Sequence, residues 1–335
     1  MAVQTLDVIV HAVTLASATS RSYELRPVTG TLPPFDAGAH IDVHLDRADG
    51  GPALIRPYSL CNSPREKDRY LICVHREDTG RGGSLALHRE ITVGRRLRVS
   101  APRNLFPLVS ARRYVLVAGG IGITPLLSMA ETLAARGAPF RLHHYTSSAA
   151  RAPLAERLAE SSFAGRVVSH RGDRGDSVRT GLPGDLLVPD PETAVYVCGP
   201  AGFMACVRDG ASALGWRPEQ LHTERFTPTP GPAPTPTVGA SVPHEAGTGF
   251  TVRLASTGER YPVPADRTIA DVLTAHGVEI GLSCEQGMCG ACLTPVLAGE
   301  PDHRDEVQSP AEQAANTHIT LCCSRAHSAE LLLDL

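Results

Sequence analysis

The chain of 335 residues contains no run of eighteen apolar residues, so no membrane-spanning helix is expected and no membrane association. Its opening, Met1-Ala2-Val3-Gln4-Thr5-Leu6-Asp7, has no basic region ahead of an apolar stretch. That excludes a secretory signal and fits a cytoplasmic protein. Lysine is almost missing: Lys67 is the single one, and arginine carries the rest of the positive charge. We read this as genomic base composition rather than function. A formal charge of −3 and a pI near 6.5 exclude the basic footprint of a nucleic-acid binder. There is no internal repeat. Nine cysteines are present, but with no secretory context they fit a reducing compartment better than a disulfide framework. The length predicts two or three domains.

Four of those cysteines form a pattern. Cys284, Cys289 and Cys292 are spaced C-x4-C-x2-C, and 29 residues separate them from Cys322. This is the plant-type spacing for a [2Fe–2S] cluster, whose two irons take four thiolates. Gly287 and Gly290 let the loop turn back and aim its N–H groups at sulfur. A structural zinc site uses the same donors, but zinc modules usually pair two short cysteine knuckles or add histidines. Cys323 adjoins Cys322. If this segment is extended, neighbouring side chains face opposite ways and only one reaches the metal.

Composition divides the rest. From Thr227 to Thr237 five prolines fall in eleven residues, which predicts an extended linker over 227–247. Residues 1–108 alternate apolar and polar in short runs such as 39–45 and 70–74, which predicts an antiparallel β-barrel. Over 109–226 buried strands alternate with helices, which predicts an α/β domain with a parallel sheet. Tyr114–Ala118 is a strand there, and Phe203, Val207, Ala211 and Leu214 mark a helix face. Residues 248–335 read as a hairpin, a helix with Ile269, Val272, Leu273 and His276 on one side, the cysteine loop and an inner strand at Leu331–Leu333. The fold class is multidomain α+β.

Gly119-Gly120-Ile121-Gly122-Ile123-Thr124-Pro125 ends a parallel strand and opens a helix, where open α/β sheets bind ligands. Its glycines admit a pyrophosphate close to the backbone, and Pro125 suits a first helical turn. Cys198-Gly199-Pro200 ends a later strand on the same crevice. Arg56-Pro57-Tyr58-Ser59 combines a bidentate phosphate donor, an aromatic ring and a hydroxyl. Gly80-Arg81-Gly82-Gly83-Ser84 is a second phosphate cradle of backbone amides. Each taken singly could also be an ordinary turn, and Cys198 and Phe226 ordinary core.

These motifs, in this order, resemble the phthalate dioxygenase reductase family, within the ferredoxin–NADP reductase superfamily. His222-Thr223-Glu224-Arg225-Phe226, residues 300–305 and Cys322-Cys323-Ser324-Arg325-Ala326 also look like that family. The resemblance implies an FMN-binding barrel, an NAD-binding α/β domain and a C-terminal β-grasp ferredoxin. It implies that Arg56, Ser84 and the Gly82 and Gly83 amides hold the FMN phosphate. Pro57, Tyr58, Ser59, Val74, His75 and Thr124 would line the flavin, and Phe226 would cover its other face. Gly120, Gly122, Cys198, Gly199 and Pro200 would place the nicotinamide of NADH, and Glu224 would lie beside the hydride path with Cys198. Cys284, Cys289, Cys292 and Cys322 would bind the cluster.

The implied activity is NADH-dependent: a hydride arrives as an electron pair and the cluster takes single electrons. No Ser/His/Asp constellation is found, and hydride transfer needs none. The sequence holds no haem-ligand motif, Rieske C-x-H pair or oxygenase facial triad. The expected partner is therefore a separate terminal oxygenase, either a Rieske non-haem iron oxygenase or a cytochrome P450, served by a monomeric reductase. The alternatives are a free-standing NADH:flavin or acceptor oxidoreductase, and a zinc-binding redox scaffold.

Overall fold

A computed structural model describes residues 5–46, 53–80, 82–226 and 249–335. The expected linker at 227–247 lies outside the described residues. The chain forms two compact units, one spanning Gln4–Phe226 and the other containing the C-terminal residues.

The first unit begins with β1 (Thr5–Ser17), β2 (Ser20–Pro27), β3 (His40–Leu45), β4 (Leu54–Ser59), β5 (Tyr70–His75) and β6 (Arg96–Ser100), with α1 (Gly83–Glu90) between the last two. All pair antiparallel in the order β4-β3-β6-β1-β2-β5. A bridge from Leu60 to Ile72 joins the two outer strands and closes the barrel. Register shifts in β1 at Val10/Ala12 and Leu15/Ser17 bend that long strand. Alternation fills the interior with Val8, Val10, Tyr23, Leu25, Ile41, Val43, Ile72 and Val99.

The α/β layer contains β7 (Arg113–Gly119), α2 (Ile123–Ala135), β8 (Phe140–Thr146), α3 (Ala155–Glu160), β9 (Val167–Arg171), β10 (Thr193–Cys198), α4 (Ala201–Ala213) and β11 (Leu221–Glu224). Its five strands are parallel in the order β11-β10-β7-β8-β9. The chain turns outward in both directions from β7, so the switch point lies between β7 and β10, where ligands enter such sheets. The near-continuous apolar runs of β7 and β10 reflect burial on both faces. Ala37, Cys61, Cys73 and Phe106 from the barrel share a core with Tyr114, Leu116, Ile123 and Leu126. That shared core makes the barrel and the α/β layer one unit. The α4 face differs in one place: Leu214 lies one residue past the helix with 42% of its surface exposed, and Met204 is buried instead.

The second unit contains β12 (Phe250–Leu254), β13 (Arg260–Val263), α5 (Ile269–Ala275), β14 (Leu293–Ala298), β15 (Pro301–Asp302), α6 (Pro310–Ala315), β16 (His318–Thr320), β17 (Arg325–Ala326) and β18 (Glu330–Leu333). The sheet order is β13-β12-β18-β14-β16, and β15 pairs with β17. β18 runs parallel to β12 and antiparallel to β14, which makes the Leu331–Leu333 segment the inner strand. Thr268 and Asp271 form a reciprocal cap that starts α5, and Ile269, Val272 and Leu273 seat it on Phe250, Val252 and Leu331.

Candidate functional site

The α/β crevice is built by backbone proximity. A Cβ on Gly122 would stand 2.1 Å from the Cys198 carbonyl oxygen, and one on Gly199 would stand 2.9 Å from Gly119 Cα. The ends of β7 and β10 therefore touch through glycines, and only glycine fits there. Gly120 has φ +54°, and its carbonyl accepts a hydrogen bond from His144 Nε2 at 3.1 Å. Burial pulls the His144 imidazole down to about 4, so it is neutral and can serve as a fixed donor to the turn. Thr124 is buried, and its hydroxyl donates to the Ile121 carbonyl at 3.0 Å. Pro200 caps α4, exposed beside Gly199.

Parallel register sets Cys198 opposite both Ala118 and Glu224. From the barrel, the Ser59 hydroxyl donates to Glu224 Oε2 at 3.4 Å. Burial pushes the Cys198 thiol well above its ordinary range and the Glu224 carboxyl up to about 8. The Ser59 bond opposes the second shift, since it favours the carboxylate. Burial therefore favours the protonated carboxyl of Glu224 in the folded chain. Its folded-state value lies above the unfolded one, so its stabilising contribution is complete below about 4.5 and is lost as pH rises through about 8. Glu224→Gln keeps the acceptor and removes the ionisation. We expect its melting temperature to gain on wild type as pH goes from 4.5 to 8; a constant difference would contradict the shift.

On the barrel side, Arg56 is buried on β4 and packs beneath Gly83, where a Cβ would meet Arg56 Cγ at 2.5 Å. Gly82, at φ +85°, caps α1 and turns its first amides outward next to that arginine. A glycine turn, helix-start amides and a guanidinium fit a phosphate. Ser84 Oγ is engaged elsewhere, accepting from the Glu77 N–H at 3.1 Å and donating to its carbonyl at 3.4 Å. Arg81 lies outside the described residues. Pro57 and Tyr58 continue β4, and burial raises the Tyr58 phenol above its ordinary value against the pull of Arg56. Val74 is buried on β5; His75 is half-buried with Nδ1 3.3 Å from Ser20 Oγ. Phe226 exposes 38% of its surface.

In the second unit Cys284, Cys289, Cys292 and Cys322 are all buried, none more than 8% exposed. Cys284 lies within hydrogen-bonding reach of Cys289 and Cys322, and Cys292 of Cys322. Backbone amides turn towards sulfur: Gln286 and Met288 to Cys284 at 3.4 Å each, Cys284 to Cys289 at 3.3 Å and Gly287 to Cys322 at 3.2 Å. Glu285, Gly287 and Gly290 adopt left-handed backbone at φ +53°, +72° and +65°, which folds the loop around the thiols. Among the described residues no three His, Cys, Asp or Glu side chains meet the spacing of a single-ion site. The fit to an iron–sulfur cluster therefore rests on four buried thiol donors and amides aimed at their sulfurs.

Residues 252–327 match the 2Fe-2S iron-sulfur cluster binding domain family. The chain is 46% identical over 316 residues to a vanillate O-demethylase oxidoreductase of Pseudomonas putida, covering 94% of this chain and 95% of that one. It is 37% identical to the solved phthalate dioxygenase reductase, a structure described as carrying electrons from pyridine nucleotides to [2Fe-2S]. The match spans 99% of this chain and 98% of that one with a TM-score of 0.70. The chain belongs to the phthalate dioxygenase reductase family. It is also 36% identical, TM-score 0.81, to part of an intact type IV self-sufficient cytochrome P450 monooxygenase, covering 99% of this chain and 41% of that one.

His144 joins the candidate site through its bond to Gly120, and one histidine in a buried strand has no spacing signal to mark it in the sequence. Glu285 is likewise unmarked, since a left-handed non-glycine residue leaves no trace in composition. Among the described residues, no helix is long and apolar enough to cross a membrane.

Proposed function

We propose that this chain is the reductase component of an oxygenase system, moving electrons from NADH through FMN and a [2Fe–2S] cluster to a separate oxygenase. One contact carries the reading. The Ser59 hydroxyl of the barrel meets the Glu224 carboxyl at 3.4 Å, beside Cys198, bringing the barrel face and the nucleotide crevice together. A hydride donor in one and an acceptor on the other would then be neighbours. Bound FMN would accept the electron pair and release single electrons.

The protein's own residues supply placement. Arg56 and the Gly82–Gly83 turn anchor phosphate. Gly120, Gly122 and the Cys198-Gly199-Pro200 turn admit the nucleotide against the backbone. Glu224 accepts from Ser59 beside the hydride path, where burial favours its neutral form. Cys284, Cys289, Cys292 and Cys322 hold the cluster, with division of the chain at 108/109, 226/227 and 247/248. The similarity to a chain fused to a P450 and to a vanillate-demethylating system supports an oxygenase as the electron acceptor. Whether it is a P450 or a Rieske enzyme follows from which one the reduced chain supplies.

The purified chain is expected to carry about one flavin and two irons, to bleach on NADH and to drive an added oxygenase. Recovery of FAD on extraction would overturn FMN, and zero labile sulfide would overturn the cluster. Vigorous NADH-driven reduction of dioxygen with no transfer to any oxygenase would favour a free-standing oxidoreductase instead. Arg56→Ala should weaken flavin retention about ten- to a hundredfold, the loss of one charged phosphate contact, while iron content stays constant. Full retention of flavin on dilution would contradict the assigned role.

A further inference from the structure

A chain of side chains on the other face of the parallel sheet leads to the same glycines. His143 is buried on β8 with Nε2 3.1 Å from Asp185 Oδ2 and Nδ1 3.0 Å from His170 Nε2 on β9. The His170 ring stacks on Tyr145 at 4.0 Å between centroids and 5° between planes. Tyr145 in turn leans on Phe203 of α4, with centroids 5.5 Å apart. The Phe203 ring closes the path: a Cβ on either Gly119 or Gly199 would come within 2.9 Å of it. Four side chains thus connect a partly exposed aspartate to the two glycines where β7 and β10 touch.

The bonds fix one set of tautomers. The Asp185 carboxylate accepts, so His143 carries its hydrogen on Nε2 and presents a lone pair at Nδ1. His170 must then donate from Nε2, which sets the plane of its ring and of the Tyr145 ring stacked on it. Burial lowers both imidazoles below their ordinary range and favours these neutral forms, against the pull of Asp185 on His143 and of Asp176 on His170. Arg141 and His170 act on His143 in the same direction as burial.

We propose that Asp185, His143, His170 and Tyr145 are positioning residues for the pyridine nucleotide, holding Phe203 as the floor of the glycine crevice. This rests on the reading that the nucleotide binds there. If the relay acts on placement alone, breaking it should weaken nucleotide binding without slowing the transfer once the nucleotide is seated. Removal of the Asp185 carboxylate lets the His143 tautomer change, whereas an asparagine still offers an accepting oxygen.

The test is stopped-flow reduction of the full-length, cofactor-loaded chain by NADH. Asp185→Ala should raise the NADH concentration for half-maximal rate about tenfold, the worth of one hydrogen bond, with the limiting rate within about twofold of wild type. Asp185→Asn should recover most of the affinity. His170→Phe, which keeps a ring on Tyr145 but cannot donate to His143, should reproduce the split if the alanine variant folds poorly. An unchanged NADH dependence in Asp185→Ala or His170→Phe, or equal impairment by alanine and asparagine, overturns the proposal while the functional reading stands. A wild-type chain that NADH does not reduce overturns both.

Discussion

Gly122→Ala is expected to abolish reduction by NADH while leaving flavin and iron content near wild type. The added methyl would lie 2.1 Å from the Cys198 carbonyl oxygen, 2.4 Å from its carbonyl carbon and 2.7 Å from the Gly199 nitrogen. All three are backbone atoms of a strand end, so no rotamer change relieves the contact. The ends of β7 and β10 must separate, and overpacking of this kind costs about 1–3 kcal/mol. That cost falls on the crevice the nucleotide enters, and it shifts Cys198 relative to Glu224 and Ser59. Gly120→Ala makes the useful comparison. Its Cβ meets nothing within 4 Å, so its cost comes only from the left-handed backbone at φ +54° and should be milder. Rapid-mixing measurement of flavin bleaching decides it; a Gly122→Ala chain reduced at the wild-type rate would remove the crevice from the nucleotide path.

The same contrast shows what the sequence could reveal. The glycine turn was readable because it sits between a continuous apolar strand and a helical repeat, and that order places it at the carboxyl end of β7. The cysteine spacing was readable because a two-iron centre constrains its ligands along the chain. Where the physics is local and periodic, the sequence carries it. β15 and β17 are two residues each and leave no alternation to detect. Leu214 shares the period of α4 but falls one residue past its end, so period alone misplaces it. His144 and the His143–His170 pair acquire their roles only when β8 and β9 are in register with the β7 turn. Two acidic residues near the cysteine loop also take separate roles only in the fold: Asp305 is buried and accepts the Gln308 N–H at 2.9 Å, while Glu312 caps α6.

Cys322→Ser is expected to lose or strongly perturb the cluster, and Cys323→Ser to keep near-native visible absorption and reduced-state spin resonance. An extended segment would turn the two side chains to opposite faces. Residues 321–323 instead form a turn, closed by the Ser324 N–H to the Thr320 carbonyl at 3.1 Å. A turn also separates the two thiols, by a different route. Cys322 Sγ accepts the Gly287 N–H at 3.2 Å and lies within reach of Cys284 and Cys292. Cys323 Sγ lies 3.2 Å from the Thr320 hydroxyl and packs against the core of the unit, where a Cβ on Gly287 would come within 2.5 Å of it. A serine at 322 replaces a soft thiolate donor by a hard hydroxyl and disturbs an iron ligand. A serine at 323 keeps a hydrogen-bonding partner for Thr320 and touches no other ligand thiol except its neighbour. The loss at 322 should therefore be of most of the 2Fe–2S absorbance, against a minor change at 323. Iron and labile sulfide on both purified variants read it out directly, and the opposite pattern would move the fourth ligand to Cys323.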